Sequence, residues 1–225
     1  MLAETGLEDE TILWADSQLA GRGQQGAKWQ SQAGLSLTFS LFRRFDRFPA
    51  RHPFYLNLAI SLGVKQALDD LGVKQVSIKW PNDILSYSRK LCGILVENQI
   101  EKDRLASSII GIGLNVNETE FEGLPRATSM RLVCGKKYDR EEVLHMVSRK
   151  VFEVIRNLDR QSLAAIQAAY QDSLFRINVV STFEDAKAAT FSGIIRGVSQ
   201  EGRLLVEEQS GDLRAYQPKE IALKY

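Results

Sequence analysis

The sequence predicts an α+β fold: a mixed, mostly antiparallel sheet packed with helices, then a small C-terminal SH3-like β-barrel. Three observations carry this. The first half holds short apolar runs, some alternating with period two, parted by turn residues. Two long segments, 53–71 and 139–158, instead repeat their apolar residues every three or four positions, the period of a helix. After residue 172 the texture changes to five short strand candidates, a spacing that suits a small barrel. We place a larger first domain over residues 1–174 and the barrel over residues 175–225.

In chain order, residues 11–15 read as a strand. Residues 16–29, DSQLAGRGQQGAKW, read as a glycine-rich loop with Gly21, Gly23 and Gly26, the cations Arg22 and Lys28, and a closing Trp29. Glycine lets a ligand approach the main chain closely, and successive N–H groups in such a turn form an anion-binding nest. Arg22 adds a planar, permanently charged fork suited to carboxylate or phosphate. Residues 35–42 alternate Leu35, Leu37, Phe39 and Leu41 on one face, as a half-buried strand does. Arg43, Arg44, Arg47 and Arg51 around Asp46 read as a solvated loop.

Pro53 suits the first turn of the helix over 53–71, and Gly72 its end. Residues 76–80, VSIKW, form a short strand running into the turn Pro81-Asn82-Asp83. Residues 84–85 and 91–97 read as a hairpin around a polar turn, and 107–116 as a strand with Gly111 and Gly113 inside it. Glycine within a strand often marks close approach of a ligand. Asp139 caps the helix that follows, with Glu142 three residues on, and residues 162–172 make a second helix.

Composition narrows the function classes. The net charge of +1 lacks the basic footprint of a dedicated nucleic-acid binder; from Arg176 onward seven cations face seven carboxylates. No apolar run approaches the roughly 18 residues of a membrane span. The N-terminus MLAETGLEDE is acidic and lacks a signal-peptide core. Two cysteines (Cys92, Cys134) and two histidines (His52, His145) supply neither a disulfide framework nor a zinc set. The expected setting is the reducing cytoplasm.

Taken singly, each polar motif has a bland account as a surface charge or turn former. Taken in order they do not. GRGQQGAKW, KWPND, KLCGILVE and GIGLNVN together resemble the biotin protein ligases, over nearly the whole chain. The class without an N-terminal DNA-binding domain is the better match. The resemblance implies a class II synthetase-like fold and a two-step reaction with ATP, Mg2+ and biotin. Biotin is first activated to biotinyl-5′-AMP. It is then transferred to a lysine of a biotin carboxyl carrier domain of a carboxylase.

By the same resemblance, Arg22 and Lys90 are the catalytic cations. Gln18, Arg22, Gly23, Gln24, Lys90 and Gly93 form the biotin site. Arg22, Gln25, Trp29, Asn82, Asp83, Lys90 and Asn115 form the ATP site, with Asp83 a candidate magnesium ligand. No nucleic acid or membrane partner is implied. A homodimer is possible through residues 35–42 taken as an edge strand. Lipoate or octanoate ligation on the same fold, or a non-catalytic interaction module, are the competing readings.

Two departures qualify the match. Family members often carry Arg where Gln24 and Gln25 stand, so a loop that leaks the adenylate is expected. The family's upstream Asp-Ser-Thr-Asn segment, which bonds the ureido ring, has no counterpart before Glu10. Residues 1–5 read as the tail of the helix that would follow it, and weak biotin binding is expected.

Overall fold

The computed structural model describes residues 6–18, 20–26, 28–46, 48, 53–158 and 162–225. Residues 1–5, read above as a helix tail, lie outside them, as do Arg47 and Arg51. Period-two alternation in the first half becomes a six-stranded sheet with two unlike faces. Its strands are β1 (Ile12–Ala15), β4 (Leu37–Arg44), β5 (Val76–Lys79), β6 (Asp83–Ser86), β7 (Arg89–Glu101) and β8 (Arg104–Leu114). The order is β1-β4-β8-β7-β6-β5, and every ladder is antiparallel. The glycine-rich loop contributes only two two-residue strands, β2 (Gly21–Arg22) and β3 (Lys28–Trp29).

Directly opposed residues share a face. One row, Leu37–Leu114–Cys92–Ile84–Ile78, crosses five strands and is fully buried. It lies in one apolar core with the buried residues of α1 (Pro53–Asp70) and α3 (Arg140–Arg156). On α1 the stripe Leu56, Ile60, Val64 and Leu68 is completely buried. The two helices approach closely at Gly63, where a Cβ would stand 2.9 Å from Val154 Cγ2. Asp139 caps α3 by accepting from the backbone N–H groups of Glu141 and Glu142. Each such buried aliphatic side chain contributes about 1.5–3 kcal/mol.

Two further helices, α2 (Met130–Cys134) and α4 (Leu163–Asp172), precede the second sheet. That sheet comprises β9 (Val180–Asp185), β10 (Thr190–Val198), β11 (Leu204–Glu208), β12 (Leu213–Tyr216) and β13 (Ile221–Lys224), in the order β12-β11-β10-β9-β13. It is the small antiparallel SH3-like unit the strand spacing predicts. Two clamps join it to the first sheet. Ile78 of β5 donates its N–H to Ser173 and accepts from Phe175, both at 2.8 Å. The Trp80 indole N–H donates to the Gly202 carbonyl at 2.9 Å. Gly202 has φ +87° and packs on Phe54, where a Cβ would fall 2.4 Å from the ring.

Four expectations need correction. Residues 35–42 do not form an edge: β4 lies between β1 and β8, so pairing across a two-fold cannot use it. Arg43 and Arg44 are not loop residues but end β4, with Arg43 paired to Asp9 and Glu10. The hairpin β7–β8 runs well beyond the apolar stretch. Residues 97–104 carry no apolar alternation, yet Lys102 and Asp103, both with φ > 0, close a tight turn that extends it. Helix α2 escaped notice because five residues show no period; Ser129 caps it and Gly135 ends it at φ +71°.

Candidate active site

The opposite face of the six-stranded sheet is built from small and charged residues. The row Ala15–Thr38–Gly113–Gly93–Asp83–Lys79 crosses all six strands. A neighbouring row holds Ser40, Gly111 and Leu95. The glycines matter because Trp29 lies on them. A Cβ at Gly113 would stand 2.3 Å from Trp29 Cε2, and one at Gly93 would stand 3.2 Å from Cζ3. Across β2–β3, Gly21 faces Trp29, and a Cβ there would meet the Trp29 carbonyl at 2.5 Å. Three glycines from separate motifs therefore seat one indole.

Lys90 is aimed by a bulge. The β6–β7 register slips between Ile84 and Leu85, which re-aims a strand's side chains. Its backbone is also fixed from the other side. The Lys90 N–H donates to the Arg126 carbonyl at 2.6 Å, and the Thr128 N–H donates to the Lys90 carbonyl at 2.9 Å. Lys90 Nζ then sits 2.7 Å from Asp83 Oδ1 and 5.7 Å from the centre of the Trp29 ring. Lys79 Nζ lies 3.9 Å from the other Asp83 oxygen. Burial pushes the Lys79 ammonium below its ordinary pKa; Asp83 opposes this, and Lys90 and Arg126 add to it. Burial pushes the neighbouring Cys92 thiol up, which leaves it a core residue and not a nucleophile.

Two cavities open from this floor. The first, about 300 Å³, is lined on the loop side by Gln18, Arg22, Gly23, Gln24 and Trp29. On the sheet side Thr38, Ser40, Asn82, Asp83, Lys90, Gly93 and Glu97 line it. The second, about 430 Å³, is lined by Lys79, Asn115, Arg126, Leu223 and Tyr225 and by the 121–127 segment. Trp29, Asp83 and Lys90 line both. They form the partition between the two spaces. Asn82 and Asn115 are held in place: Asn82 Nδ2 donates to the Ile94 carbonyl at 2.7 Å, and Asn115 Nδ2 to the Thr128 carbonyl at 2.9 Å.

Residues 2–115 match the model of the biotin/lipoate A/B protein ligase family. The chain belongs to that family. Among its ligase relatives is the bifunctional ligase/repressor BirA of Bacillus spizizenii, 34% identical over 220 residues. That match takes in 96% of this chain and 67% of the relative, so the chain spans about two thirds of the relative's length. The biotin–[acetyl-CoA-carboxylase] ligase of Mycobacterium tuberculosis is 29% identical over 205 residues, covering 88% of this chain and 74% of that one. Among solved structures, the Aquifex aeolicus biotin protein ligase in complex with biotin and ATP superposes with a TM-score of 0.80. It is 30% identical, covering 99% of this chain and 92% of that one.

Within this ligase-family chain the expected residues divide between the two cavities. Gln18, Arg22, Gly23, Gln24, Lys90 and Gly93 line the first. Trp29, Asp83, Lys90 and Asn115 line the second, while Arg22 and Asn82, expected at the nucleotide, face the first. The Gln25 side chain lies outside the described residues. Arg22 is largely exposed, with its Nη2 3.8 Å from Glu97 Oε1.

Sequence reasoning missed Thr38 and Ser40, although they are the polar half of an alternation already noticed. It set Lys79 aside as a surface charge. Arg126 and Tyr225 carried no motif signal at all. Backbone pairing of Lys90 with the 126–128 segment, and the return of β13 against β9, bring them in.

Proposed function

We propose that this chain is an ATP-dependent biotin protein ligase acting in the cytoplasm, with a biotin carboxyl carrier domain as acceptor. The observation that carries the reading is the shared partition. One lysine lines both a cavity of small-acid size and a second, cation-rich cavity. In the first step a biotin carboxylate oxygen bonds the α-phosphorus of ATP, and the bond to the β-phosphate oxygen breaks to release pyrophosphate. In the second, an acceptor lysine amine bonds the carbonyl carbon, loses a proton, and AMP leaves.

The barrier in step one is two anions meeting. At about 4 Å and an effective dielectric near 20, two unit charges repel by roughly 4 kcal/mol. That corresponds to about a thousandfold in rate. Lys90, at the partition, offsets it where the carboxylate and α-phosphate meet. Arg22 approaches the same atoms from the loop. Both act by charge and alignment, not proton transfer. Lys79 and Arg126 hold the outer phosphates, Asn115 orients the nucleotide, and Trp29 offers its face to the adenine.

A magnesium ion fits the donor set in one way. Among the described residues there is no cluster of three His, Cys, Asp or Glu side chains. Asp83 is the one Asp or Glu among the residues lining the second cavity. One carboxylate with phosphate oxygens and water is a common way to hold Mg2+. Asp83 would share the ion with the triphosphate, and the ion when bound neutralises phosphate charge.

The test is pyrophosphate release from ATP with biotin, lipoate or octanoate, followed by avidin detection of a carrier domain. Release with biotin alone and labelling of one carrier lysine are expected. Release with lipoate or octanoate but not biotin overturns the assignment in favour of the related ligases. Failure with all three leaves only a binding module.

A further inference from the structure

We infer that Tyr225 is a positioning residue for the triphosphate end of the second cavity, so that the C-terminal sheet is a working wall of the nucleotide site. The inference rests on the reading of that cavity as the ATP site.

Four observations converge on Tyr225. Its ring lines the cavity together with Lys79, Asp83, Lys90 and Arg126. The Arg126 guanidinium lies over the ring at 4.7 Å from its centre, and Lys79 Nζ lies at 5.6 Å. Both fall inside the range at which a π face attracts a cation. The ring is held in turn by Phe175, edge-on at 5.0 Å. Phe175 is itself hydrogen-bonded to Ile78, the residue before Lys79.

The physical need for such a residue is clear from the charges. Lys79, Lys90 and Arg126 crowd around the single carboxylate Asp83, and they repel one another when no phosphate is present. Asp83 Oδ1 is taken by Lys90. The other Asp83 oxygen stands 3.9 Å from Lys79, at the outer limit of an ion pair. A tyrosine face beside them supplies the negative quadrupole that attracts both cations. A carboxylate in its place would compete with the substrate. An aliphatic residue would fill the space but leave the two cations unaligned. Tyr225 directly follows β13, whose Lys224 pairs with Thr182 of β9. The register of the second sheet thereby bears on two cations, Lys79 of the first sheet and Arg126 of the 121–127 segment.

The experiment compares wild type with Tyr225→Phe and Tyr225→Leu in biotin-dependent pyrophosphate release. Phe keeps the π face, whereas Leu keeps only apolar volume. We expect Y225L to raise the KM for ATP about tenfold, the order two cation–π contacts supply. Its kcat and its KM for biotin should stay within about twofold of wild type, and Y225F, which keeps the ring but loses the hydroxyl that Arg126 also bonds, should raise the KM for ATP clearly less than Y225L does. Leu behaving like Phe would show that Tyr225 only fills space and would overturn the inference. A parallel rise in both KM values would do the same, since it signals general disruption. If wild type releases no pyrophosphate, the functional reading fails separately. ATP titration of the three proteins by calorimetry then decides, and equal affinities for wild type and Y225L overturn the inference.

Discussion

Arg22 and Lys90 line the same cavity, yet they are held in opposite ways. Arg22 belongs to a two-residue strand, is largely exposed, and has an exposed carboxylate 3.8 Å away as its ion-pair partner. Such a pair contributes between about 0 and 1 kcal/mol. Lys90 belongs to a thirteen-residue strand, is hydrogen-bonded through its backbone to the 126–128 segment, and is tied to Asp83 at 2.7 Å. A charge fixed before the substrate arrives needs no reorganisation at the moment of reaction, so it stabilises the transition state. A charge that must be ordered with the ligand spends part of its attraction on that ordering. The two cations should therefore fail differently when removed.

The largest effect is expected at Lys90. Lys90→Met should lower kcat for adenylate formation by about a thousandfold, the full repulsion of two anions at contact. Single-turnover pyrophosphate release measures it. A fall in kcat of less than tenfold would mean that the partition is not where the charges meet. Arg22→Ala should instead act on binding. The loss of a charge-assisted hydrogen bond, about 1.5–3 kcal/mol, raises the KM for biotin by roughly ten- to a hundredfold and leaves kcat less affected. It should also increase labelling of bystander proteins, because the adenylate is held less firmly. Gln24→Arg tests the same loop in the other direction: added positive charge should reduce bystander labelling relative to wild type.

The sheet side of the comparison can be sharpened with two glycines that differ only in what lies above them. Gly113→Ala puts a methyl group 2.3 Å from Trp29 and forces the indole off its seat. Overpacking of this kind costs about 1–3 kcal/mol, so the KM for ATP should rise roughly tenfold. Gly111→Ala, on the neighbouring row, meets nothing closer than 3.6 Å and should change neither KM by more than about twofold. Equal effects from the two would show that Trp29 has no part in the nucleotide cavity.

The strands and helices that pack the core were legible because burial imposes a period. Leu37, Phe39 and Leu41 alternate, and Leu56, Ile60, Val64 and Leu68 recur with the helix, as the structure has them. The glycine-rich loop and the KWPND turn were legible as motifs because close backbone approach permits few residue types. What stayed hidden was pairing across sequence distance. No local pattern announces that the Lys90 backbone pairs with residues 126–128, or that Tyr225 returns beside Lys79 from a separate sheet. β4 was misplaced at an edge for the same reason: its own alternation is identical whether one side or both sides are paired. The extended β7–β8 hairpin was missed because the outer end of β7, residues 97–101, is exposed throughout and carries no alternation.

The smallest expected effect concerns Lys79, whose ammonium is held below its ordinary pKa chiefly by burial. Its unfolded-state value is near 10.4. Between its lowered folded-state value and that figure, the unfolded chain binds more protons than the folded one. Stability of the wild type therefore gains with rising pH across that window from this group, by at most about 1.4 kcal/mol per pH unit. The tyrosines work against this. Burial raises Tyr170 and Tyr225, so above the ordinary tyrosine range the folded state holds the extra protons and stability falls. A wild-type curve alone would mix the two. Lys79→Met removes the lysine contribution and keeps every tyrosine side chain, Tyr225 alone losing a cation from its ring face. The variant should therefore be the more stable at neutral pH, and its Tm advantage over wild type should shrink as pH rises from 8 upward. The same substitution should raise the KM for ATP, because a cation of the second cavity is gone. Parallel Tm curves would mean that the ammonium is as well solvated in the fold as outside it. The second cavity would then be no drier than the first, and the contrast between a braced nucleotide side and an open loop side would lose its electrostatic half.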